Sequence, residues 1–276
     1  MLPPDEAFAR IQAAVKPTSA EEAAYTECMG RVLAQDVVAT NLQPAHDNSA
    51  MDGFAVRHAD VAGATPASPV ILHVLEDIPA GKVPQLAVGA GQASRIMTGA
   101  LVPEGADTVL IQENADVLEA STIEVAEPPA KGAHIRLAGV DFAEGQTLLP
   151  SGTLLSPGSV ALAASGGHPE LVVRAKPRVV VLSTGDELVM PGETPGPDQI
   201  IVSNTFGLHA LLTDLGAEPR LLPIARDSES ALRTVLGLVD DADLVITRED
   251  PSAAPAALRS IEHVVRRGVL VREAAA

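Results

Sequence analysis

The chain has 276 residues, 46% of them hydrophobic and 20% charged, which is the profile of a folded protein of about two domains. Its 36 acidic side chains outnumber its 19 basic ones, and the resulting formal charge of −17 repels phosphate backbones and anionic lipid, so nucleic acid and membrane are excluded as partners. Aromatic residues at 2% remove the stacking platforms of single-strand binders, and the single Cys28 rules out a disulfide framework and a Cys-based zinc site.

The opening Met1-Leu2-Pro3-Pro4-Asp5 lacks the basic-then-apolar layout of a signal peptide, and no apolar run nears the ~18 residues of a membrane span. A cytoplasmic location is expected. Phe8, Ile11 and Val15 recur at helical spacing and predict a helix that Pro17 stops. Ser19 with Glu22 three positions later is a capping-box signature and predicts a second short helix. After Gly30 the apolar run Val32–Val38 predicts a strand.

From Gly53 to Gly139 the texture changes to short strands between turns. Val70–Val74, Arg95–Met97, Thr108–Gln112 and Thr122–Val125 are each bounded by Gly, Pro or acidic residues, which predicts a β-rich module. At Pro177 another regime begins. Arg178–Leu182 is a nearly continuous apolar run, as expected of a buried parallel strand. Asn204 is expected to cap a helix through Leu215 that Gly216 ends, followed by a strand at Leu221–Ala225. Asp227 or Ser228 caps the next helix, to about Val239, and Asp243–Thr247 forms a third strand. Alternation of this kind is a doubly wound α/β pattern, in which ligands sit outside the carboxyl ends of the strands. Here those ends are Ser183–Glu187, Arg226-Asp227 and Thr247-Arg248.

No Walker loop, His-Glu-x-x-His or Gly-x-Ser-x-Gly element is present, Gly89-Ala90-Gly91 does not extend into a dinucleotide fingerprint, and the seven histidines lack metal spacing. Three polar segments stand out. Asp47–Arg57 places two Asp, an Asn and a Ser on a glycine-ended turn able to gather donors around an anion, or to bond to itself. Arg95–Ala100 carries Arg95 and Thr98, which suit an oxyanion or an ordinary strand and turn. Leu182–Leu188 puts two hydroxyls, a glycine and two carboxylates directly after a buried strand. Those carboxylates either cap the next segment or meet an anionic substrate through a cation, since like charges ~4 Å apart repel by roughly 4 kcal/mol at a surface-like dielectric. Mg²⁺ is the natural mediator.

Taken in order, these segments resemble the MoeA family, the molybdopterin molybdenumtransferases, to which the gephyrin E domain is related. The resemblance rests on Asp47–Arg57, Arg95–Asp107, Arg136–Gly152, Pro177–Leu188, Ile200–Asn204 and Ala225–Asp227, and covers roughly residues 5 to 247. It implies a multidomain α+β and α/β protein. An N-terminal linker domain is expected over 1–52 plus 140–176, with an inserted β-rich module at 53–139 and a truncated doubly wound α/β molybdopterin-binding domain at 177–276. It implies insertion of molybdate into adenylylated molybdopterin with release of AMP, Mg²⁺ as cofactor, and a homodimer with a cleft between subunits. By position, Asp52, Thr98, Asp141, Glu187 and Asp227 match polar residues of the family's active cleft. Asn48, Ser49, Arg95, Ser183, Thr184, Asp186 and Asn204 are the expected substrate contacts. The carboxylates are expected to hold Mg²⁺ or orient water, with no ligand set assigned among them, and Thr98 and Ser183 to contact anionic oxygens.

The chain departs from the family after the third strand. The family's glycine- and serine-rich loop is replaced by Arg248-Glu249-Asp250-Pro251-Ser252, which removes a backbone N–H cradle for an anion. The segment reads instead as Asp250 N-cap, Pro251 at the first helical position, a helix through Arg267, Gly268 after it and then Val269–Val271. The rest of the family's sheet and its small C-terminal β domain are expected to be missing. The alternative is therefore a shortened relative that binds pterin or dimerises without turnover.

Overall fold

A computed structural model describes residues 3–119, 121–247, 263–266 and 269–273. In chain order the first elements are α1 (Pro4–Ala14), β1 (Ala20–Ala23), β2 (Val37–Val38), β3 (Asn48–Ser49), β4 (Gly53–Val56) and α2 (His58–Val61). Then come β5 (Val70–Ile78), β6 (Gln92–Ile96), β7 (Thr108–Ile111), β8 (Asp116–Glu119), β9 (Thr122–Val125) and β10 (Ile135–Arg136). Next are β11 (Thr147–Leu149), α3 (Pro157–Ser165), β12 (Leu171–Arg174), β13 (Arg178–Leu182), β14 (Leu188–Val189) and β15 (Ile200–Ile201). The last are α4 (Asn204–Asp214), β16 (Glu218–Leu221), α5 (Glu229–Leu236), β17 (Leu244–Thr247), β18 (His263–Arg266) and β19 (Val269–Glu273).

The chain divides into two compact units, each built from separated stretches of sequence. One comprises 1–35, 151–160 and 170–276; the other comprises 36–150 and 161–169. The second unit is organised by a six-stranded sheet of order β7-β4-β6-β5-β9-β8, antiparallel except for the β5–β6 pair. Its interior strand β4, next to the edge strand β7, is Gly-Phe-Ala-Val and is buried throughout, so alternate side chains serve two cores. Phe54 and Val56 join Val61, Leu72, Leu110 and Ile123 on one face; Ala55 joins Ile78, Ile96, Ala100 and Val109 on the other. Gly53 permits a close approach of β4 to β7, because a Cβ there would overlap the Leu110 carbonyl oxygen and come within 2.9 Å of its carbon.

The first unit carries a sheet of order β16-β13-β17-β18-β19, parallel through β18 and closed by an antiparallel β18–β19 pair. The apolar run Val179–Leu182 is buried at its centre, as a strand covered on both faces must be. Leu182 and Ala225 pack with Leu232 and Val235 of α5, while α4 lies against β13 and β16. Among the described residues no helix is long and apolar enough to cross a membrane.

Several elements form where the sequence predicts them, and five expectations need correction. Ser19 and Glu22 do not open a helix: β1 pairs antiparallel with β12 from Ala20↔Arg174 to Ala23↔Leu171, a distant partner outweighing a local signature. Only Val37–Val38 of the Val32–Val38 run is a strand; Val32 and Leu33 make isolated bridges to Leu154 and Val173. The strand expected at Leu221–Ala225 lies earlier, at Glu218–Leu221, because its parallel register starts from Arg178↔Glu218, and Pro219 is tolerated on this edge strand. The helix expected through Arg267 gives way at His263–Arg266 to β18, which takes its hydrogen bonds from β17 and β19. The preceding part of that expected helix lies outside the described residues. Asn204 is the first residue of α4, not its cap: Ser203 holds that position, and its side chain makes no capping bond.

Candidate functional site

The expected site residues gather in two places, one in each unit. In the unit built around β4, Asn48–Ser49 pairs with Ile135–Arg136, and Asn48 bridges Leu101. This register brings the loops after Asp47, Ile96 and Arg136 together. Thr98 then donates both its backbone N–H and its hydroxyl, each at 2.7 Å, to the same oxygen of Asp52, Oδ1. These two bonds, the backbone one first and the side-chain one second, hold the Asp52 carboxyl below the usual carboxylate range, helped by the charge of Arg95. Asp52 is exposed, and its backbone carbonyl accepts from Gln112 N–H at 3.1 Å, which ties the turn to the end of β7.

Arg136 donates to both oxygens of Asp141 at 2.6 Å, so Asp141 enters the site already neutralised. The Arg95 side chain is exposed and makes no hydrogen bond or close ion pair among the described residues, so beyond its longer-range pull on Asp52 its charge is open to an anion. Ser49 and Asn48 are spent locally. Buried Ser49 donates from Oγ to the Met51 carbonyl at 2.6 Å, and the Asn48 amide nitrogen, turned toward them, donates to the carbonyls of His46 and Asp47. The self-bonding turn is thus the one these two side chains build. His134, among the described residues the one other than glycine with a left-handed φ (59°), accepts from Ala50 N–H at 2.8 Å through its carbonyl and anchors the turn from the other side.

In the α/β unit the carboxyl ends of β13 and β16 meet. Thr184 bridges Ala225 in parallel, with Ala225 N–H donating to the Ser183 carbonyl (2.9 Å) and Gly185 N–H to the Ala225 carbonyl (3.1 Å). That register sets Arg226 and Asp227 against Asp186–Leu188. Asp227 N–H donates to Asp186 Oδ1 at 3.2 Å, and Arg226 Nη1 donates to the carbonyls of Asp186 (2.9 Å) and Leu188 (3.1 Å). Gly185 has φ +142°, and a Cβ there would meet the Glu187 carboxylate, 2.8 Å from Cδ, so only glycine lets that side chain fold over the turn. The side chains of Ser183, Thr184, Glu187, Asn204 and Asp227 make no hydrogen bond or ion pair among the described residues. Unspent donors and acceptors at a strand end are what a ligand needs.

Asp186, Glu187 and Asp227 supply the hard oxygen donors that Mg²⁺ takes, but among the described residues no three His, Cys, Asp or Glu side chains converge as a metal shell. A cation here would be completed by oxygens from outside the chain. The Gly/Ser-rich loop, absent from the sequence after Thr247, falls where residues 248–262 lie outside the described set. Sequence reasoning missed Arg226 as a contact. The strand-end rule pointed to its position and gave no partner.

Residues 2–167 match the MoeA N-terminal region, domains I and II. A molybdopterin molybdenumtransferase of Nostoc sp. is 41% identical over 219 residues, which is 79% of this chain and 50% of that protein. Molybdopterin molybdenumtransferase 2 of Mycobacterium tuberculosis is 43% identical over 229 residues, covering 83% and 56%. The chain therefore spans little more than half the length of these relatives. Two crystal structures of a molybdopterin biosynthesis MoeA protein from Pyrococcus horikoshii superpose with TM-scores of 0.83 (32% identity, 91% of this chain and 67% of that one) and 0.81 (28% identity, 98% and 73%).

Proposed function

The chain belongs to the MoeA family, and on that footing we propose that it acts in molybdenum cofactor biosynthesis, inserting molybdate into adenylylated molybdopterin and releasing AMP. The observation that carries this is the set of unspent polar side chains at the β13 and β16 ends, Ser183, Thr184, Glu187 and Asp227, with Asn204 likewise unspent at the start of α4. Cleaving a phosphoanhydride asks little covalent chemistry of a protein. It needs neutralised phosphate oxygens and a nucleophilic oxygen held in line. Ser183 and Thr184 donate to phosphate oxygens, and Glu187, held over Gly185, orients the attacking oxygen. Asp227 and Asp186 face the same substrate, and Asn204 contacts its polar edge.

In the other unit's cluster, taken by itself, Arg95 offers its charge to an anionic group. Asp52 serves as an ionised acceptor that Thr98 fixes, and Asp141 orients Arg136. Thr98, whose hydroxyl proton already goes to Asp52, takes a positioning role and not the anion contact expected from its sequence. Asp186, Glu187 or Asp227 would be the residues to hold Mg²⁺, which when bound would neutralise the developing phosphate charge. The protein works as a homodimer in the cytoplasm in this reading. The second reading, a relative that binds pterin without turnover, is favoured by the replacement of the glycine-rich loop with Arg248–Ser252.

The test is AMP release from adenylylated molybdopterin by the purified chain, with molybdate and Mg²⁺, beside Glu187→Gln. Molybdate-dependent release that falls by about 10²-fold or more in the variant supports the assignment. No release from the folded chain favours the binding-only reading, and release unchanged by Glu187→Gln removes Glu187 from the mechanism.

A further inference from the structure

We infer that Arg226 is a positioning residue for Glu187, holding the backbone on both sides of it. One guanidinium nitrogen, Nη1, donates to the carbonyl before Glu187 (Asp186, 2.9 Å) and to the carbonyl after it (Leu188, 3.1 Å). The carbonyl of Glu187 itself accepts from Ile200 N–H at 2.8 Å, and that of Val189 from Val202 N–H at 3.0 Å. Four consecutive carbonyls are therefore fixed, two of them by this single side chain. The rest of the attachment is backbone to backbone or backbone to carboxylate: Ala225 to Ser183, Gly185 to Ala225, and Asp227 N–H to Asp186 Oδ1. Arg226 and the Asp186 carboxylate are the two parts of it that a substitution removes without touching the main chain, and only Arg226 spans Glu187 on both sides.

The choice of an arginine here is informative. Arg226 stands among Asp186, Glu187 and Asp227 yet makes no ion pair with them among the described residues. Its charge strengthens the bonds to the two carbonyls while leaving the carboxylates uncompensated and open to a ligand. A planar donor group spans both carbonyls from one nitrogen, which the point charge of a lysine does less well. The Glu187 carboxylate, lying over Gly185 and bonded to nothing among the described residues, depends for its position on the backbone beneath it.

The catalytic consequence rests on the role given to Glu187 above, so the test has one arm that needs no activity. Hydrogen exchange is measured on the full chain and on Arg226→Ala and Arg226→Lys. The expected result is exchange about tenfold faster in Arg226→Ala at the amides of Ile200 and Asp227, as for one lost charge-assisted bond, partly restored in Arg226→Lys, with Leu222, which bonds Val181 in the core ladder, unchanged. Unchanged exchange at Ile200 and Asp227 overturns the proposal. So does equal acceleration at Leu222, which marks general destabilisation. The second arm is a double-mutant cycle on AMP release. Arg226→Ala is expected to lower kcat with KM little changed in the parent, and to cost nothing further in Glu187→Gln. Additive losses overturn the link to Glu187, whereas a parent that releases no AMP overturns the proposed function and leaves the exchange arm to decide the clamp.

Discussion

Replacing Gly53 by Ala is the sharpest single-atom test of the β4-centred sheet. Gly53 pairs with Ile96 on one side and Ile111 on the other, so the strand cannot slide away from either neighbour. The added Cβ would overlap the Leu110 carbonyl oxygen and lie 2.9 Å from its carbon and 3.0 Å from the Ile111 Cα. All three atoms are backbone, and none can rotate out of the way. Relief requires β4 and β7 to part by about 1 Å, which takes ladder bonds of about 2.9 Å out to about 3.9 Å, beyond useful length. Two such bonds are worth about 1–3 kcal/mol net, and drawing the fully buried Leu110 from its core brings the loss to about 3 kcal/mol. For a unit of this size that is a fall in Tm of about 10 °C. Calorimetry reads it, with the unit's transition identified by hydrogen exchange at Phe54–Val56. Gly81→Ala is the control: its φ of +82° is strained for alanine, but no atom lies within 4 Å of the new Cβ, so about 1 kcal/mol is expected. A Gly53→Ala protein that melts no lower than Gly81→Ala would refute the reasoning, since strain alone would then account for both.

Thr98→Ala removes one of two donors to Asp52 Oδ1 and raises the Asp52 pKa toward the ordinary range. A depressed carboxyl stabilises the fold above its unfolded pKa, and that contribution is lost as pH falls through the folded value; the deficit of Thr98→Ala should therefore be present at neutral pH and vanish in acid. Urea titrations at pH 7 and near pH 2.5 decide it, and a deficit equal at both would sink the linkage. Ser94 is fully buried in β6 with a hydroxyl that has no partner, so Ser94→Ala is expected to stabilise by about 1 kcal/mol, read as a rise in Tm of a few degrees. A fall in Tm would show that the hydroxyl is bonded to buried water.

What the sequence revealed was what is encoded nearby. Val70–Val74, Thr108–Gln112, Thr122–Val125 and Arg178–Leu182 are short segments bounded by turn residues, and each lies in a strand; the last three keep close to those limits, whereas β5 runs on from Val74 to Ile78. Ser228 caps α5 through a bond from Ala231 N–H, as its residue type suggests. The failures share a physical cause. Ala20–Ala23 is Ala-Glu-Glu-Ala, with nothing strand-like in it, and becomes β1 only because β12 is there to pair with it. The register of β16 is set by β13 and not by its own apolar residues. At the site, residue types located the two polar clusters, but which hydroxyl serves which carboxylate is a matter of geometry. Thr98 facing Asp52, and Arg226 facing two carbonyls, follow from strand pairing that no local pattern records.

The pairing of β1 with β12 also sets a timetable for synthesis. Residue 20 leaves the ribosome about 150 residues before its partner at 174. At about 5–20 residues per second, β1 waits roughly 8–30 s with its backbone groups unmatched. The other unit needs nothing beyond residue 169 and can close first. Synthesis order and pairing order therefore differ: β1 precedes the other unit in the chain yet pairs only once that unit's last residue has emerged, and any holdase acting on the nascent chain meets it as an orphan strand.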